Sequence, residues 1–306
     1  MIYINRDFEK SALAHYYKIK DDIEKKIDNG HNYINSKNKP PLSDFHKRCL
    51  KIFLKEIILA NPDKLIRIFN LFENKFPNTD YRLIFDYKWF SSKSRKYGTY
   101  ELAKILGIRI CCYCNRNYTT TVIRKNEKIS RPQFDHFYYK KKYSILALSF
   151  YNLIPSCSLC NTTFKGEKDY NILHPYIDNI VSNFGFTAIP QNITTLLNVN
   201  EDFKINIVKK DKKNILNSKL DESIKLFKIK EMYSSNGSEI KDLFLLRYKY
   251  SDKYLEELQK MTKNKFTKPE LYRLAFGAEI NETDFEKRPF SKLKKDILKE
   301  LKILKP

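Results

Sequence analysis

The first third of the chain repeats apolar residues with a helical period. Apolar residues recur at three- and four-residue steps, as in Leu50, Phe53, Leu54, Ile57 and Ile58. This spacing is typical of an amphipathic helix with one face in the core. Asn61 followed by Pro62 predicts an N-cap and the first turn of a further helix, whereas the polar stretch Asn35–Pro41 predicts a loop. We expect a helical region over residues 1–98.

The middle of the chain has shorter, alternating segments. Tyr118–Ile123 and Ile129–Phe134 alternate apolar and polar residues, which predicts a hairpin turning at Lys125 and Asn126. Asn152–Pro155 predicts one more strand, and the residues after it predict a helix. The expected local order is therefore strand, loop, strand, helix.

From about residue 176 the patterns of strand and helix are mixed. Residues 203–207 alternate apolar and polar side chains, which predicts a half-exposed strand. Thr267 and Glu270 have the spacing of a capping box at a helix start, and Ser291 begins a last predicted helix. We expect a mixed α/β region over residues 176–306.

The chain carries a large excess of positive charge. It has 306 residues with 58 Lys+Arg against 36 Asp+Glu, a formal net charge of +22. Residues 109–168 hold eleven of these basic residues and three acidic ones, about twice the net charge expected from an even spread. Such a surface favours nucleic acid as a partner. A genome that favours lysine is the alternative explanation, and the local excess favours function.

The first residues are charged and lack the apolar core of a signal peptide. No apolar run approaches the ~18 residues that span a bilayer. We therefore expect a cytoplasmic protein with no membrane partner, in which closely spaced cysteines bind zinc instead of forming disulfides.

Five of the six cysteines lie between residues 111 and 160. Cys111 and Cys114 form one pair separated by two residues, and Cys157 and Cys160 form another. Two such pairs supply four thiolates to one tetrahedral Zn²⁺. Because four thiolates leave no open position, the predicted zinc is structural and any catalytic cation is a second ion.

Residues with hydrolytic chemistry lie beside the cysteines. Asp135 and His136 fall between the two pairs, and Asn161 follows the last cysteine. The Asp135 carboxylate and the Asn161 amide oxygen are hard ligands suited to Mg²⁺ or Mn²⁺. The His136 imidazole can take a proton from water. These three residues predict phosphodiester hydrolysis, with the zinc as a rigid frame that fixes Asn161 relative to Asp135.

Several lysines surround this segment and are candidate phosphate contacts. They are Lys140, Lys141, Lys142, Lys165 and Lys168. The alternative for each is a solvated charge without a ligand.

The segments CCYCNRNY, RPQFDHF and YNLIPSCSLCN carry a resemblance to a known family. Asp135-His136, an Asn-Leu pair sixteen residues after that His, and Cys-x-x-Cys-Asn resemble the zinc-containing HNH (ββα-metal) nucleases. The wider segments resemble a branch found in bacterial anti-phage defence loci, often beside an ATPase, as in Septu-type systems and some retrons. The resemblance covers roughly residues 105–175.

The resemblance implies a role for each matching residue. His136 would be the general base, and Asp135 and Asn161 would bind the divalent ion. Asn152 would hold the loop that positions the His136 ring. The ion would bind the scissile phosphate and the leaving 3′ oxygen, which gives 5′-phosphate and 3′-hydroxyl ends. The resemblance also implies a partner ATPase or another sensor subunit, since no Gly-rich phosphate loop is evident here.

Three features depart from the family pattern. Asn161 takes the place of the usual third histidine, and Cys112 stands where a proline is usual. A metal-ligating role for His174 would go beyond the core motif, and the alternative is a capping or packing residue.

The predicted fold class is α+β. A central HNH module with a four-cysteine zinc site would cover residues 99–175, between the helical region 1–98 and the basic α/β region 176–306. The favoured function is a DNA-cleaving endonuclease that acts as a defence effector. The alternatives are an RNA- or tRNA-cleaving nuclease and a non-catalytic zinc subunit that binds nucleic acid.

Overall fold

The computed structural model describes residues 3–30, 41–125, 127–197, 199–249, 254–263 and 265–304. The chain is α+β, with helices and small antiparallel two-stranded sheets. Asn126 and, apart from Pro41, the predicted loop Asn35–Pro41 lie outside the described residues.

The chain forms two compact units. The amino-terminal unit comprises Asn5–Ile108 and Thr119–Asp169. The carboxy-terminal unit comprises Met1–Ile4, Arg109–Tyr118 and Tyr170–Pro306. The division into three consecutive regions stays a prediction.

The amino-terminal unit contains five α-helices within its described residues. They are α1 (Glu9–Asn29), α2 (Asp44–Leu59), α3 (Pro62–Lys75), α4 (Tyr87–Phe90) and α5 (Thr99–Leu106). Its strands are β1 (Val122–Arg124), β2 (Glu127–Ser130), β3 (Gln133–His136) and β4 (Leu153–Ser156). Short 3₁₀ turns cover Ser144–Leu146 and Phe150–Asn152, and a π-helix covers Leu159–Lys165.

Helices α1 and α2 pack against each other through the apolar stripes expected from the sequence. Ile19 and Ile23 of α1 and Leu50 and Leu54 of α2 are fully buried. Each buried aliphatic side chain stabilises the fold by ~1.5–3 kcal/mol. The predicted cap of α3 is confirmed, because the Asn61 side chain accepts a hydrogen bond from the Lys64 amide.

The predicted hairpin is present but shorter than expected. Strands β1 and β2 pair antiparallel, with Arg124 opposite Glu127. The expected second strand over Ile129–Phe134 is interrupted before Pro132, which has no N–H to donate to a ladder. Phe134 therefore belongs to the next strand, β3.

Strands β3 and β4 form an antiparallel pair that leads into the π-helix. Asp135 lies opposite Ile154, and His136 lies opposite Leu153. The π-helix ends at Gly166, whose φ of 56° is in the left-handed region. The order of strand, loop, strand and helix follows the prediction for this segment.

The carboxy-terminal unit is built on the antiparallel strands β5 (Phe184–Pro190) and β6 (Phe203–Lys209). Its described helices are α6 (Ile193–Leu196), α7 (Asn217–Leu226), α8 (Ile229–Ser234), α9 (Gly237–Lys249), α10 (Tyr254–Met261), α11 (Lys268–Phe276) and α12 (Ser291–Glu300). Further 3₁₀ turns cover Val181–Asn183 and Glu282–Asp284.

Two sequence predictions in this unit are confirmed. The predicted strand over residues 203–207 lies within β6 and alternates buried and more exposed positions at its start. Thr267 and Glu270 form the capping box of α11, with the Thr267 amide donating to the Glu270 carboxylate at 2.8 Å. In the described part of the chain, no helix is long and apolar enough to cross a membrane.

Candidate active site and metal centre

The first cysteine pair lies in a tight turn. The Cys111 amide donates to the Asn117 carbonyl at 3.0 Å, and the Asn115 amide donates to the Cys111 carbonyl at 2.9 Å. Asn115 adopts a left-handed conformation with φ 48°. The Tyr233 hydroxyl donates to the Cys114 carbonyl at 2.7 Å. These bonds fix the backbone on which the two thiols are carried.

The second pair lies where β4 passes into the π-helix. Cys157 follows the last residue of β4, and Cys160 lies in the first turn of the π-helix. The Asn161 amide donates to the Cys157 carbonyl at 3.0 Å. This bond closes the turn that brings Cys157 and Cys160 together.

The four predicted sulfur ligands converge. The Sγ atoms of Cys111, Cys114, Cys157 and Cys160 lie within 4.8 Å of one another, and all four residues are buried. Tetrahedral zinc with Zn–S bonds of ~2.3 Å separates its sulfur ligands by ~3.8 Å. The cluster could therefore hold a metal such as zinc, and its four soft donors fit a structural site.

Cys112 is buried but does not belong to this sulfur cluster. Burial raises the pKa of its thiol above the ordinary value. Its side chain lines a small cavity in the carboxy-terminal unit together with Tyr3 and His174. The observed position agrees with a cysteine that is not a ligand.

His174 is buried within a local turn. The His174 amide donates to the Asp178 carboxylate at 2.8 Å, and the Nδ1 atom accepts from the Tyr176 amide at 3.2 Å. With Nδ1 accepting, the neutral ring carries its proton on Nε2. These bonds favour a packing role for this side chain, and its suggested role as a metal ligand stays a prediction.

The imidazole of His136 is held in one orientation. Its Nε2 atom lies 3.0 Å from the Ala147 carbonyl oxygen, and its ring meets the Tyr87 ring edge-on at 4.5 Å. Because a carbonyl only accepts, Nε2 must carry the proton and Nδ1 keeps a lone pair. Burial, with the nearby charge of Lys140 as the next cause, lowers the pKa of His136 to about 3. With its Nε2–H directed at the carbonyl, the uncharged ring presents Nδ1 as its acceptor atom.

Asn152 fixes the loop that carries the Ala147 carbonyl. Its Oδ1 atom accepts from the Tyr138 amide at 2.7 Å, and its Nδ2 atom donates to the Leu146 carbonyl at 2.9 Å. The side chain is fully buried. Because one amide joins both ends of this loop, it sets the position of the carbonyl that orients His136.

Asp135 is paired with a buried lysine. The Lys165 ammonium lies 3.1 Å from Asp135 Oδ1 and donates to the His136 carbonyl at 2.8 Å. The exposed fractions of the two side chains are 1% for Lys165 and 3% for Asp135. Lys165, a candidate phosphate contact by sequence, thus has its ammonium directed into the protein.

Asn161 is oriented by a residue that the sequence did not single out. Its Nδ2 atom donates to Gln133 Oε1 at 2.9 Å, and the Thr162 hydroxyl donates to the same oxygen at 3.1 Å. The bond from Nδ2 leaves Oδ1 as the side-chain atom suited to a cation.

These residues line one cleft of about 420 Å³. Asp135, His136 and Asn161 contribute to its wall, as do Tyr87 and Lys140. The Lys140 ammonium lies 5.0 Å from the centre of the Tyr87 ring. Burial lowers the pKa of Lys140 and raises the pKa of Tyr87 to about 12.

The other candidate lysines differ in their surroundings. Lys141 pairs with Glu167 at 2.5 Å, and Lys142 pairs with Asp169 at 3.1 Å. Lys168 is exposed. The local excess of positive charge is thus partly offset by acids that follow the π-helix.

Several lining residues of the cleft were not predicted as site residues, among them Tyr87, Arg131 and Gln133. Gln133 precedes Asp135 by two residues in β3, and that spacing places both on one strand face. This signal could have found Gln133. Tyr87 comes from α4, and its sequence distance from Asp135 gives no such signal.

Comparisons of the chain with protein-family models, with curated proteins and with solved structures find no match.

Proposed function

We propose that this chain is a metal-dependent nuclease of the HNH type that hydrolyses phosphodiesters, with DNA as the favoured substrate. The β3–β4 pair followed by the π-helix supports a ββα module. The resemblance of the segments around Asp135, His136 and Asn161 supports the same assignment.

The orientation of His136 carries the proposal. Its Nε2–H bond to the Ala147 carbonyl leaves Nδ1 as the proton acceptor, and the residue lines the cleft. A water molecule bound there can give its proton to Nδ1 as its oxygen attacks phosphorus. The bond from phosphorus to the 3′ oxygen breaks, and the leaving 3′ oxygen takes a proton from solvent. The bonds from Asn152 keep the loop with Ala147 in place during this step.

Asp135 and Asn161 fit a hard divalent cation. They offer a carboxylate and an amide oxygen on the wall of one cleft, and such donors suit Mg²⁺ or Mn²⁺. When bound, the ion would supply positive charge that stabilises the developing negative charge on the phosphate. Lys140 adds a second positive charge to the same wall.

The sulfur cluster supports the frame of this site. Cys160 and Asn161 are neighbours, so a metal held by the four thiolates would restrain the backbone that carries the Asn161 amide. A closed four-sulfur set leaves no position for water, which restricts its role to structure.

The role in anti-phage defence rests on the resemblance and on the basic composition. In that role the chain would act beside an ATPase or another sensor subunit. An RNA- or tRNA-cleaving nuclease would use the same groups, because both nucleic acids present the same phosphate.

Cleavage assays test the proposal. Supercoiled plasmid, tRNA and single-stranded RNA are each incubated with the zinc-loaded protein and Mg²⁺ or Mn²⁺. We expect the wild type to cleave DNA and His136→Ala to lose at least ~10²-fold in rate. Ligation of the products would check for 5′-phosphate and 3′-hydroxyl ends.

His46→Ala is the matched control. His46 is another buried histidine of the amino-terminal unit, stacked on Phe76 and bonded to the Tyr81 hydroxyl. Burial lowers its pKa to about 4, but it does not line the cleft. We expect this variant to keep the wild-type rate at a temperature where it is folded. Equal cleavage by His136→Ala and wild type would contradict the proposal, and binding without cleavage by the wild type would favour the non-catalytic alternative.

A further inference from the structure

The charge around Asp135 is already compensated by the protein. The buried Lys165 ammonium neutralises the carboxylate at 3.1 Å, and Asn161 is an uncharged donor. The immediate ligand set therefore has a net charge of zero before any cation arrives.

The remaining wall of the cleft adds no net negative charge. Its other charged side chains are Arg131, Lys140 and Glu167. A divalent cation that approaches Asp135 would meet repulsion from the Lys165 ammonium, and within a protein such repulsion is much less screened than in water. The same positive charge would attract the negatively charged phosphodiester.

We infer that the divalent cation and the phosphodiester bind to this cleft as a pair, and that Lys165 makes the binding of each depend on the other. The inference rests on the proposed nuclease function. Mg²⁺ is commonly held by one or two carboxylates together with substrate phosphate oxygens. Here Asp135, the one carboxylate among the predicted cation ligands, is already paired with the Lys165 ammonium. We therefore expect the phosphate to supply the missing negative charge.

Lys165 is therefore a positioning residue with an electrostatic role. Its second bond, to the His136 carbonyl at 2.8 Å, also fixes the end of β3. A free nuclease with this arrangement would hold its cation weakly until nucleic acid arrives.

Lys292 offers a matched control. Its ammonium is likewise buried, bonds the Asp296 carboxylate at 2.9 Å and donates to the Phe184 carbonyl at 2.8 Å. Substitution to Met removes a buried ammonium in both cases, but only Lys165 contacts a predicted cation ligand.

The first measurement is Mn²⁺ binding to the zinc-loaded protein without nucleic acid, followed by electron paramagnetic resonance. We expect Lys165→Met to bind Mn²⁺ at least ~10-fold more tightly than wild type. Lys165→Arg, which keeps the charge, and Lys292→Met should bind as wild type does. Equal affinity of Lys165→Met and wild type would overturn the inference.

The second measurement keeps Lys165, so it remains decisive if Lys165→Met fails to fold. The affinity of a fluorescein-labelled DNA duplex for His136→Ala is measured by anisotropy with and without Mn²⁺. By linkage, coupled binding requires Mn²⁺ to tighten DNA binding by the factor that DNA tightens Mn²⁺ binding. We expect Mn²⁺ to tighten DNA binding at least ~10-fold. A DNA affinity that Mn²⁺ leaves unchanged would overturn the inference.

Asp135→Asn separates this inference from the proposed function. If Asp135→Asn loses Mn²⁺-dependent cleavage while Lys165→Met binds Mn²⁺ as wild type does, only the coupling is wrong. If Asp135→Asn cleaves as wild type does, the proposed nuclease site itself is wrong.

Discussion

Two buried lysine–aspartate pairs, one in each unit, have nearly the same local geometry. Lys165 joins Asp135 to the His136 carbonyl, and Lys292 joins Asp296 to the Phe184 carbonyl. In each pair the ammonium is almost fully buried and lies about 3 Å from both of its acceptors. The bonds of the lysine alone do not distinguish a functional pair from a structural one.

The neighbours of the carboxylates differ. Asp296 is on α12, and its Oδ2 atom accepts from the Phe186 amide of β5 at 3.0 Å. Burial raises the pKa of Asp296 and lowers the pKa of Lys292. Asp135 instead lies on the wall of a cleft beside His136. The Lys292–Asp296 pair joins a helix to a strand, whereas the Lys165–Asp135 pair has a proton acceptor, His136, next to it. This difference leads us to assign function to the Lys165–Asp135 pair only.

Removal of the metal from the sulfur cluster should give the largest difference in amide hydrogen exchange between the region around Lys165 and the region around Lys292. The helix with Lys165 begins beside Cys160, whereas α12 and β5 are joined by their own bonds. Structural zinc contributes on the order of 10 kcal/mol to the folding of small zinc modules. We expect chelation to increase amide hydrogen exchange strongly over Leu159–Lys165 and much less over β5.

The matched variants for this prediction are Cys160→Ser and Cys49→Ser. Cys49 is half-buried in α2 and lies outside the cluster. Cys160→Ser should bind less than one equivalent of zinc and should show the increased exchange, and Cys49→Ser should do neither. Full zinc binding by Cys160→Ser would show that the sulfur cluster does not account for the stability of the π-helix.

Neutralising each aspartate tests the functional assignment directly. Asp135→Asn removes the charged cation ligand, and we expect cleavage to fall by about 10³-fold, in line with the loss of metal-assisted charge stabilisation. Asp296→Asn should change the cleavage rate less than about twofold, because Asp296 bonds with Lys292 of α12 and the Phe186 amide of β5 and does not line the cleft. Rates are compared in Mn²⁺ below the unfolding temperature of both variants. Equal losses in the two variants would mean that cleavage reports stability and not the chemistry of the cleft.

The sequence was sufficient to predict which residues supply the chemical groups of the candidate site, but not which side chains surround and pair with them. The spacing of the cysteines was sufficient to predict the sulfur cluster, because ligand chemistry dictates that pattern. The strand predicted over Asn152–Pro155 is observed one residue later, as β4 over Leu153–Ser156. The hairpin boundary was wrong because the proline at 132 interrupts a pattern that apolar alternation alone continues.

The partner of Asp135 could not be predicted. Lys165 is one of many lysines in the chain, and a lysine one turn after Asn161 is usually solvated. Its burial depends on how the π-helix packs on β3, which is a tertiary effect. The approach of Tyr87 to His136 is likewise set by packing between segments far apart in sequence.

Removing each ammonium should destabilise both regions by similar amounts. Lys165→Met and Lys292→Met each leave a buried carboxylate without its cation, which costs about 3–5 kcal/mol in comparable cases. Urea unfolding should show a lower midpoint for both variants. Added Mn²⁺ should restore part of the loss in Lys165→Met, because a bound cation can replace the ammonium, and should restore none in Lys292→Met. Recovery in both variants, or in neither, would contradict the difference drawn between the two pairs.

Lowering the pH should change the stability of the two units differently, and this difference should be smaller than those above. His15 is fully buried in the amino-terminal unit, where Nε2 lies 2.9 Å from the Leu148 carbonyl and Nδ1 lies 3.0 Å from the Tyr97 hydroxyl. Burial lowers its pKa from 6.5 to about 4. The unfolded chain therefore binds a proton that the folded unit excludes, and stability falls as the pH drops from about 6.5 to about 4. The shift corresponds to a loss of roughly 3 kcal/mol at most.

Asp296 in the carboxy-terminal unit should have the opposite effect on stability as the pH falls. Because burial raises its pKa, the folded unit takes up a proton before the unfolded chain does, so Asp296 favours folding as the pH falls. Urea unfolding between about pH 7 and pH 4 should therefore show a loss of stability in the amino-terminal unit that His15→Gln reduces. Unit-specific hydrogen exchange, corrected for the intrinsic effect of pH, would assign the loss. A wild-type pH profile that His15→Gln leaves unchanged would show that folding does not lower the pKa of this histidine.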